Sequence, residues 1–334
     1  MTIKRIFSGV KRLASARVIV LVVSVVLAGV LASGVAMTAG PGPAKAAFPG
    51  KNGRIAFTSN RTTEDNPNGY VQIFTMKPDG SGLKQITHYD NPASYVIDGP
   101  SYSANGRRIA YALGSIPAPG ETESHLYTIP ARGGAPKQIT ISPDLVLESP
   151  SWSPDGKWIA FDASSPEGGI NVYIIPARGG VPEQLTHTKN YAETPAWSPN
   201  GKRIAYGATS ANGDLEIYTI PARGGTPEQV TYNRTDDYSP AWSPDGKMIA
   251  YTNWDDLGED IIQIYTVPAH GGRPMQLTHT NYSSAPAWSP DGNKIAYENW
   301  KAGGQIFTIP AKGGSPKQIT HAGSNGAPDW QPLP

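Results

Sequence analysis

A string of twelve residues, PAWSPDGKMIAY from Pro240 to Tyr251, returns in altered form along this 334-residue chain, and that recurrence restricts the fold more than any other feature. Its other copies are SYSANGRRIAY ending at Tyr111, SWSPDGKWIAF ending at Phe161, AWSPNGKRIAY ending at Tyr206 and AWSPDGNKIAY ending at Tyr297, with a shortened GRIAF ending at Phe57. The isoleucines at one fixed place, Ile55, Ile109, Ile159, Ile204, Ile249 and Ile295, are 54, 50, 45, 45 and 46 residues apart. A period of about 40–50 residues marks a propeller or a solenoid.

The content of one period decides between them. After Trp242 come Ser243, Pro244, Asp245 and Gly246, and then the β-rich run Met248 to Tyr251. Proline presets φ at the second turn position, aspartate suits the third and glycine accepts a positive φ, so the string reads as a hairpin. After a variable gap, IYTVPAHGGRPMQLT from Ile264 to Thr278 supplies two more β-rich runs around a Gly-Gly turn. Four short antiparallel strands per period, a to d, make a propeller blade. Runs such as Ile174 and Ile175 put apolar side chains on both faces, as a sheet between two neighbours requires. The aromatic at one place in strand a (Tyr102, Trp152, Trp197, Trp242, Trp288 and Trp330) reads as packing between blades.

Blade 1 opens at Gly53 with strand b and has no strand a before it, whereas Ala327, Pro328, Asp329 and Trp330 repeat the beginning of strand a without its hairpin. The C-terminus is therefore expected to supply the inner strand of blade 1. The predicted fold is all-β: a six-bladed propeller over 47–334, closed head to tail so that no sheet edge is left bare.

Residues 1–46 differ in kind. Lys4, Arg5, Lys11, Arg12 and Arg17 precede or enter an apolar run over 18–37, and Ala44, Lys45 and Ala46 form a small-residue site before Ala47. The segment reads as a signal peptide or a membrane anchor, with the propeller on the extracytoplasmic side, either secreted or periplasmic. Membrane contact is expected only through 18–37. Six of the 28 Lys and Arg and none of the 27 Asp and Glu precede Ala47, which leaves 22 against 27, a net −5. A mildly acidic domain is a poor match to nucleic acid. The absence of cysteine excludes disulfides and thiolate metal sites.

The SPDG hairpin followed by IAY, then IYTIPARGG from Ile217 to Gly225 and a QLT strand from Gln276 to Thr278, resembles the TolB-like propeller repeat family, WD-like in pattern. The resemblance covers essentially the whole of 47–334 and implies the six-bladed ring. TolB proteins add a separate N-terminal α/β domain, which no stretch of this sequence is expected to supply.

In such a blade the a–b and c–d turns share one face of the disc, and the b–c loops and d–a crossings share the other. The short turns are near copies, whereas the b–c loops, 60–70, 113–124 and 253–261 among them, vary in length and content. Variable loops on a rigid scaffold are where recognition resides, so a protein or peptide partner is expected on the long-loop face. Two residues before the strand a proline stand Asp98, Glu148 and Glu193, at the channel mouth of three consecutive blades. They could take a peptide ammonium or calcium, and otherwise form a hydrated acidic rim that Asp236 and Asp237 extend. His88, His187, His279 and His321 follow a threonine after strand d and read as hydrogen-bonding groups of the crossing rather than metal ligands. Arg132, Arg178, Arg223 and Lys312 share one turn position on the short-turn face, with Asp155, Asp245 and Asp291 near enough to offset them. No G-x-S-x-G elbow, H-E-x-x-H or P-loop occurs. The sequence thus favours a non-enzymatic binding protein without a resident cofactor. The alternative is a metal-dependent carbohydrate-active enzyme, a lyase or hydrolase.

Overall fold

Each SPDG string closes its hairpin with the same few bonds. In blade 5 the Ser243 amide donates to Met248 O at 2.9 Å and the Gly246 amide to Ser243 O at 2.9 Å. The Ser243 hydroxyl donates to Asp245 Oδ1 at 2.6 Å and accepts from the Met248 amide at 2.9 Å. Gly246 sits at φ 70°, where a Cβ would be strained. The turn thus consumes its own polar groups and needs no help from the rest of the fold.

The computed structural model describes residues 45–90, 94–115, 123–140, 147–164, 168–255 and 261–334. In it the hairpin joins β17 (Asp236–Trp242) to β18 (Met248–Asp255), and the Gly271–Gly272 turn joins β19 (Ile261–Pro268) to β20 (Met275–Gln276). These form one antiparallel sheet in chain order, and the pattern is repeated in every blade. The outermost strand is short because one threonine finishes its pairing. Thr278 Oγ1 accepts from the Ile264 amide at 2.9 Å and donates to Gln263 Oε1 at 2.6 Å. Thr87, Thr140, Thr186, Thr231 and Thr320 accept the equivalent amide in the other blades. The crossing is therefore held by the threonine. His88, His187, His279 and His321 are all exposed, and His88 Nδ1 lies 3.4 Å from Gln85 Nε2 of strand d.

Six sheets of four antiparallel strands make the ring, and the expected join is present. β25 (Asn325–Leu333) lies antiparallel to β2 (Lys51–Ser59), with Trp330 opposite Ile55. The six fixed isoleucines are fully buried, and the strand a aromatics are between 1% and 6% exposed, wedged between blades as their repetition predicts. Two of the indoles also bond across the boundary, Trp242 Nε1 to Ala196 O and Trp288 Nε1 to Ala241 O, each at 3.1 Å. Trp152, Trp197 and Trp330 bury the same nitrogen without a partner among the described residues.

Deleting a donor that has a buried acceptor forfeits a bond worth about 1 kcal/mol and strands the acceptor, whereas deleting one without a partner forfeits none. Trp288→Phe should therefore lower unfolding stability by about 1 kcal/mol more than Trp152→Phe, the loss of ring volume being the same. Urea unfolding of the two variants checks this.

Candidate functional site

Strand a runs from the long-loop face toward the short-turn face, so its first residues stand at the long-loop mouth of the channel. Glu148 in β9 (Leu147–Trp152) and Glu193 in β13 (Ala192–Trp197) take the same register place, opposite Asp162 and Gly207 of their own strand b. Asp98 in β5 (Ser94–Tyr102) is opposite Ala112, while its side chain lies outside the described residues. The remaining blades place Tyr238, Ser284 and Gly326 there. The three acids thus hold equivalent positions in three neighbouring inner strands, but not equal exposure. Glu148 is half-buried and Glu193 is wholly buried, its Cγ beside the backbone of Gly207, which also faces Asp237 and Tyr238 of blade 5. Glu193 therefore lies below the rim.

Tyr238 is the neighbour that reading the acids alone missed, although its place two residues before Pro240 could have signalled it. Burial, and then the charges of Asp236, Glu298 and Glu193, push its phenol far above the ordinary tyrosine range, so it stays a neutral donor among carboxylates. Among the described residues, which leave out the side chain of Asp98, no three His, Asp or Glu stand close enough to hold a metal ion.

Asp236 and Asp237 do not extend the rim. Asp236 Oδ1 accepts from the Leu215 amide at 2.7 Å, and Asp237 accepts from Asn253 Nδ2 at 2.6 Å and Asn233 Nδ2 at 2.7 Å. Asp237 is fully buried, and close to it lies Glu216, buried as well, accepting from the Thr231 hydroxyl at 2.5 Å and from the Asn233 amide. Other blades put an uncharged amide at the Glu216 position, for example Gln72, Asn171, Gln263 and Gln305. Asp237 and Glu216 together place two acids inside the boundary between blades 4 and 5.

The long-loop face has one loop built as firmly as the strands. In residues 60–70, Asn66 is buried and its amide donates to Arg61 O at 2.9 Å and Tyr70 O at 2.8 Å while accepting from the Tyr70 amide at 3.1 Å. Arg61 pins the loop to the ring. Its guanidinium donates to Ala322 O at 3.1 Å and Asn325 Oδ1 at 2.6 Å, and lies 5.5 and 5.4 Å from the centres of the Phe57 and Phe74 rings. The tips of the other two loops, 116–122 and 256–260, lie outside the described residues.

The other end of the channel is occupied by the chain itself. β1 (Lys45–Ala46) pairs in parallel with β17, Lys45 opposite Ala241 and Ala46 opposite Trp242, and also touches the inner strands of blades 3, 4 and 6. Running parallel to β17, it leads the chain to the short-turn side, where the Gly50 amide donates to Pro290 O at 3.3 Å. Ala47 and Phe48 are buried there. The described residues begin at Lys45, and the apolar run 18–37 lies outside them.

Desolvation, and then repulsion from Glu216, raises the Asp237 carboxyl well above its ordinary range despite the two asparagines. An acid whose folded pKa is raised costs nothing below its unfolded value of about 3.9, where both states are protonated. The cost grows as pH rises from there through the folded value. Asp237→Asn should therefore match the parent near pH 4 and be the more stable of the two by pH 8, as thermal unfolding across that range will show.

A profile of the TolB beta propeller domain matches residues 91–210 and 187–333. Among solved structures, TolB from Acinetobacter baumannii superposes with a TM-score of 0.71 at 22% identity, over 85% of this chain and 68% of that one. A putative TolB from Agrobacterium tumefaciens gives 0.63 at 19% identity, over 83% and 91%. The same architecture is found in a chain of a nidogen/laminin complex, with a TM-score of 0.62 at 14% identity over 84% and 98%. It also occurs in the hydrazine synthase of Kuenenia stuttgartiensis, at 0.66 and 14% identity over 85% of this chain and 47% of that one. Identities this low speak for the fold alone, but the profile spans most of the ring, and the chain belongs to the TolB beta propeller domain family.

Proposed function

We propose that this is an exported, non-enzymatic propeller that binds a protein or peptide partner of the cell envelope or medium through its long-loop face. The rim of Asp98, Glu148 and Glu193 forms part of the contact. The observation that carries the reading is loop 60–70, held by Asn66 from within and by Arg61 from below. A loop fixed before binding avoids the ordering cost that a partner would otherwise have to offset. With Lys45–Phe48 at the short-turn end of the channel, the long-loop mouth is the side from which a peptide would approach the acidic inner strands. A fold shared with a chain of a nidogen/laminin complex supports protein recognition. The basic and then apolar leader supports export. The alternative of a metal-dependent carbohydrate-active enzyme has support only in the fold's occurrence in hydrazine synthase.

The test is affinity capture from envelope and culture-medium fractions, followed by a measured affinity for the purified partner. Replacing 61–69 by a short Gly-Ser linker should weaken that affinity by about tenfold or more, a loss of at least ~1.4 kcal/mol. Substitution of the Arg132, Arg223 and Lys312 turns should leave it within about twofold, a difference of ~0.4 kcal/mol. A partner sensitive to the turns and indifferent to the loop would reverse the choice of face.

A further inference from the structure

The repeat breaks at one place on the short-turn face, and a groove opens there. In three successive blade pairs the turn proline of one blade lies against the turn glycine of the next. The Cγ atoms of Pro154, Pro199 and Pro244 lie 3.0, 3.3 and 3.3 Å from where a Cβ on Gly201, Gly246 and Gly292 would be. Blade 2 has Ala104 in place of the proline, and nothing lies within 4 Å of the same point on Gly156. The space left is a groove of about 380 Å³ between blades 2 and 3, lined by Ala104, Arg108, Lys137, Trp152, Asp155 and Arg178.

The groove is also lined by three cations, Arg108, Lys137 and Arg178. In blade 4, Arg203 at the start of strand b pairs with Glu228 of strand d at 3.1 Å. The same two places in blade 2 are Arg108 and Lys137, two cations, as Arg54 and Lys84 are in blade 1 and Lys294 and Lys317 in blade 6, but only in blade 2 do they border the gap left by the missing proline. The Arg108 guanidinium donates to Thr128, to its O at 3.2 Å and its Oγ1 at 2.7 Å, and Lys137 Nζ donates to Arg178 O at 2.9 Å. Arg223 of blade 4 lies 4.8 Å from the centre of the Trp158 ring, but for Arg178 the corresponding neighbour is Arg108, and its guanidinium has no hydrogen-bond or ion-pair partner among the described residues. Asp155 is the one acid in the lining, against three cations. Its Oδ1 accepts from the Ser153 hydroxyl at 2.6 Å and the Lys157 amide at 3.0 Å, and its Oδ2 is 3.8 Å from Lys157 Nζ.

We propose that this groove binds an anionic small molecule, with Arg108, Lys137 and Arg178 taking a carboxylate or phosphate and the buried Trp152 forming the apolar floor. At ~30 Å³ per water, the groove has the room of about a dozen waters, enough for one monosaccharide-sized ligand. A guanidinium fork and an ammonium each match either anion. This site is on the face opposite the one proposed for the protein partner and stands independently of it.

The repeat itself supplies the test. Ala104→Pro restores the residue that four other blades carry, and the Ala104 amide donates to nothing among the described residues, so the variant should fold with an unchanged melting temperature. Calorimetric titration of the full chain with glucuronate, glucose 6-phosphate and glucose should show at least one anion binding about tenfold or more tighter than glucose, with affinity falling as salt is raised. Ala104→Pro and Arg178→Glu should each lower that affinity by about tenfold or more, while Lys312→Glu, the same charge change on a distant blade, should alter it by less than about twofold. Binding by whichever of the two is the tighter identifies the anion. The proposal falls if neither anion outbinds glucose, if Ala104→Pro binds as the parent does, or if Lys312→Glu is as damaging as Arg178→Glu.

Discussion

The pairing of the last strand with the first holds the ring together. Without β25, β2 would show a bare inner edge and the blade 6 and blade 2 faces would lose the sheet between them. The C-terminus supplies more than a strand. Gln331 accepts from the Arg54 amide at 3.1 Å and donates to Gly106 O at 2.7 Å, and the backbone of Pro332 lies against Gly106, so residues 331–332 replace the SPDG turn that blade 1 lacks. Asp329 reaches further, its Oδ2 accepting from the Tyr102 amide of blade 2 at 2.6 Å. The same inter-blade bond is made between blades 3 and 4, where the Trp197 amide donates to Ser151 Oγ at 3.2 Å.

Between blades the joints are made by a strained backbone. Ser149, Thr194, Ser239, Ala285 and Ala327, each just before the strand a proline, have φ between 49° and 52°. Such a conformation costs a residue with a Cβ about 1–2 kcal/mol. What offsets it is the amide freed by the bulge, which turns to the preceding blade. Thr194 donates to Asp162 Oδ1 at 3.1 Å, Ala327 to Glu298 Oε2 at 2.9 Å and Ala285 to Thr252 Oγ1 at 3.2 Å. Bonds to a carboxylate are worth about 1.5–3 kcal/mol each, enough to hold the bulge. In blade 4, where Gly207 offers no side chain, the Ser239 amide finds Thr194 Oγ1 at 3.2 Å instead.

The hairpins, the aromatic wedges and the terminal join could be read from the chain because each rests on local chemistry repeated several times. The left-handed residues could not be, since threonine before proline carries no local preference for positive φ and only the neighbouring blade explains it. The acids at the rim illustrate both sides. Their place two residues before proline gave the strand and the register of Asp98, Glu148 and Glu193, whereas the burial of Glu193 depends on Gly207 and Tyr238 of other strands. Recurrence drew attention to His88 and its equivalents, whereas the bond to the strand c amide is made by the threonine before each. β1 was invisible because two residues paired in a channel have no periodicity to betray them.

The two faces of the propeller are built differently. A loop fixed in advance and an acidic inner wall stand on one side, and a proline-lined seam with a single gap stands on the other. Both descriptions presuppose the closed ring. Amide hydrogen exchange is the most direct test of closure, comparing the full chain with one ending at Gly323. With β25 gone, the amides of Ile55 to Ser59 should lose their protection, together with the inner strands of blades 2 and 6. Protection of Ile55 to Ser59 unchanged by the truncation would contradict the closed six-bladed ring.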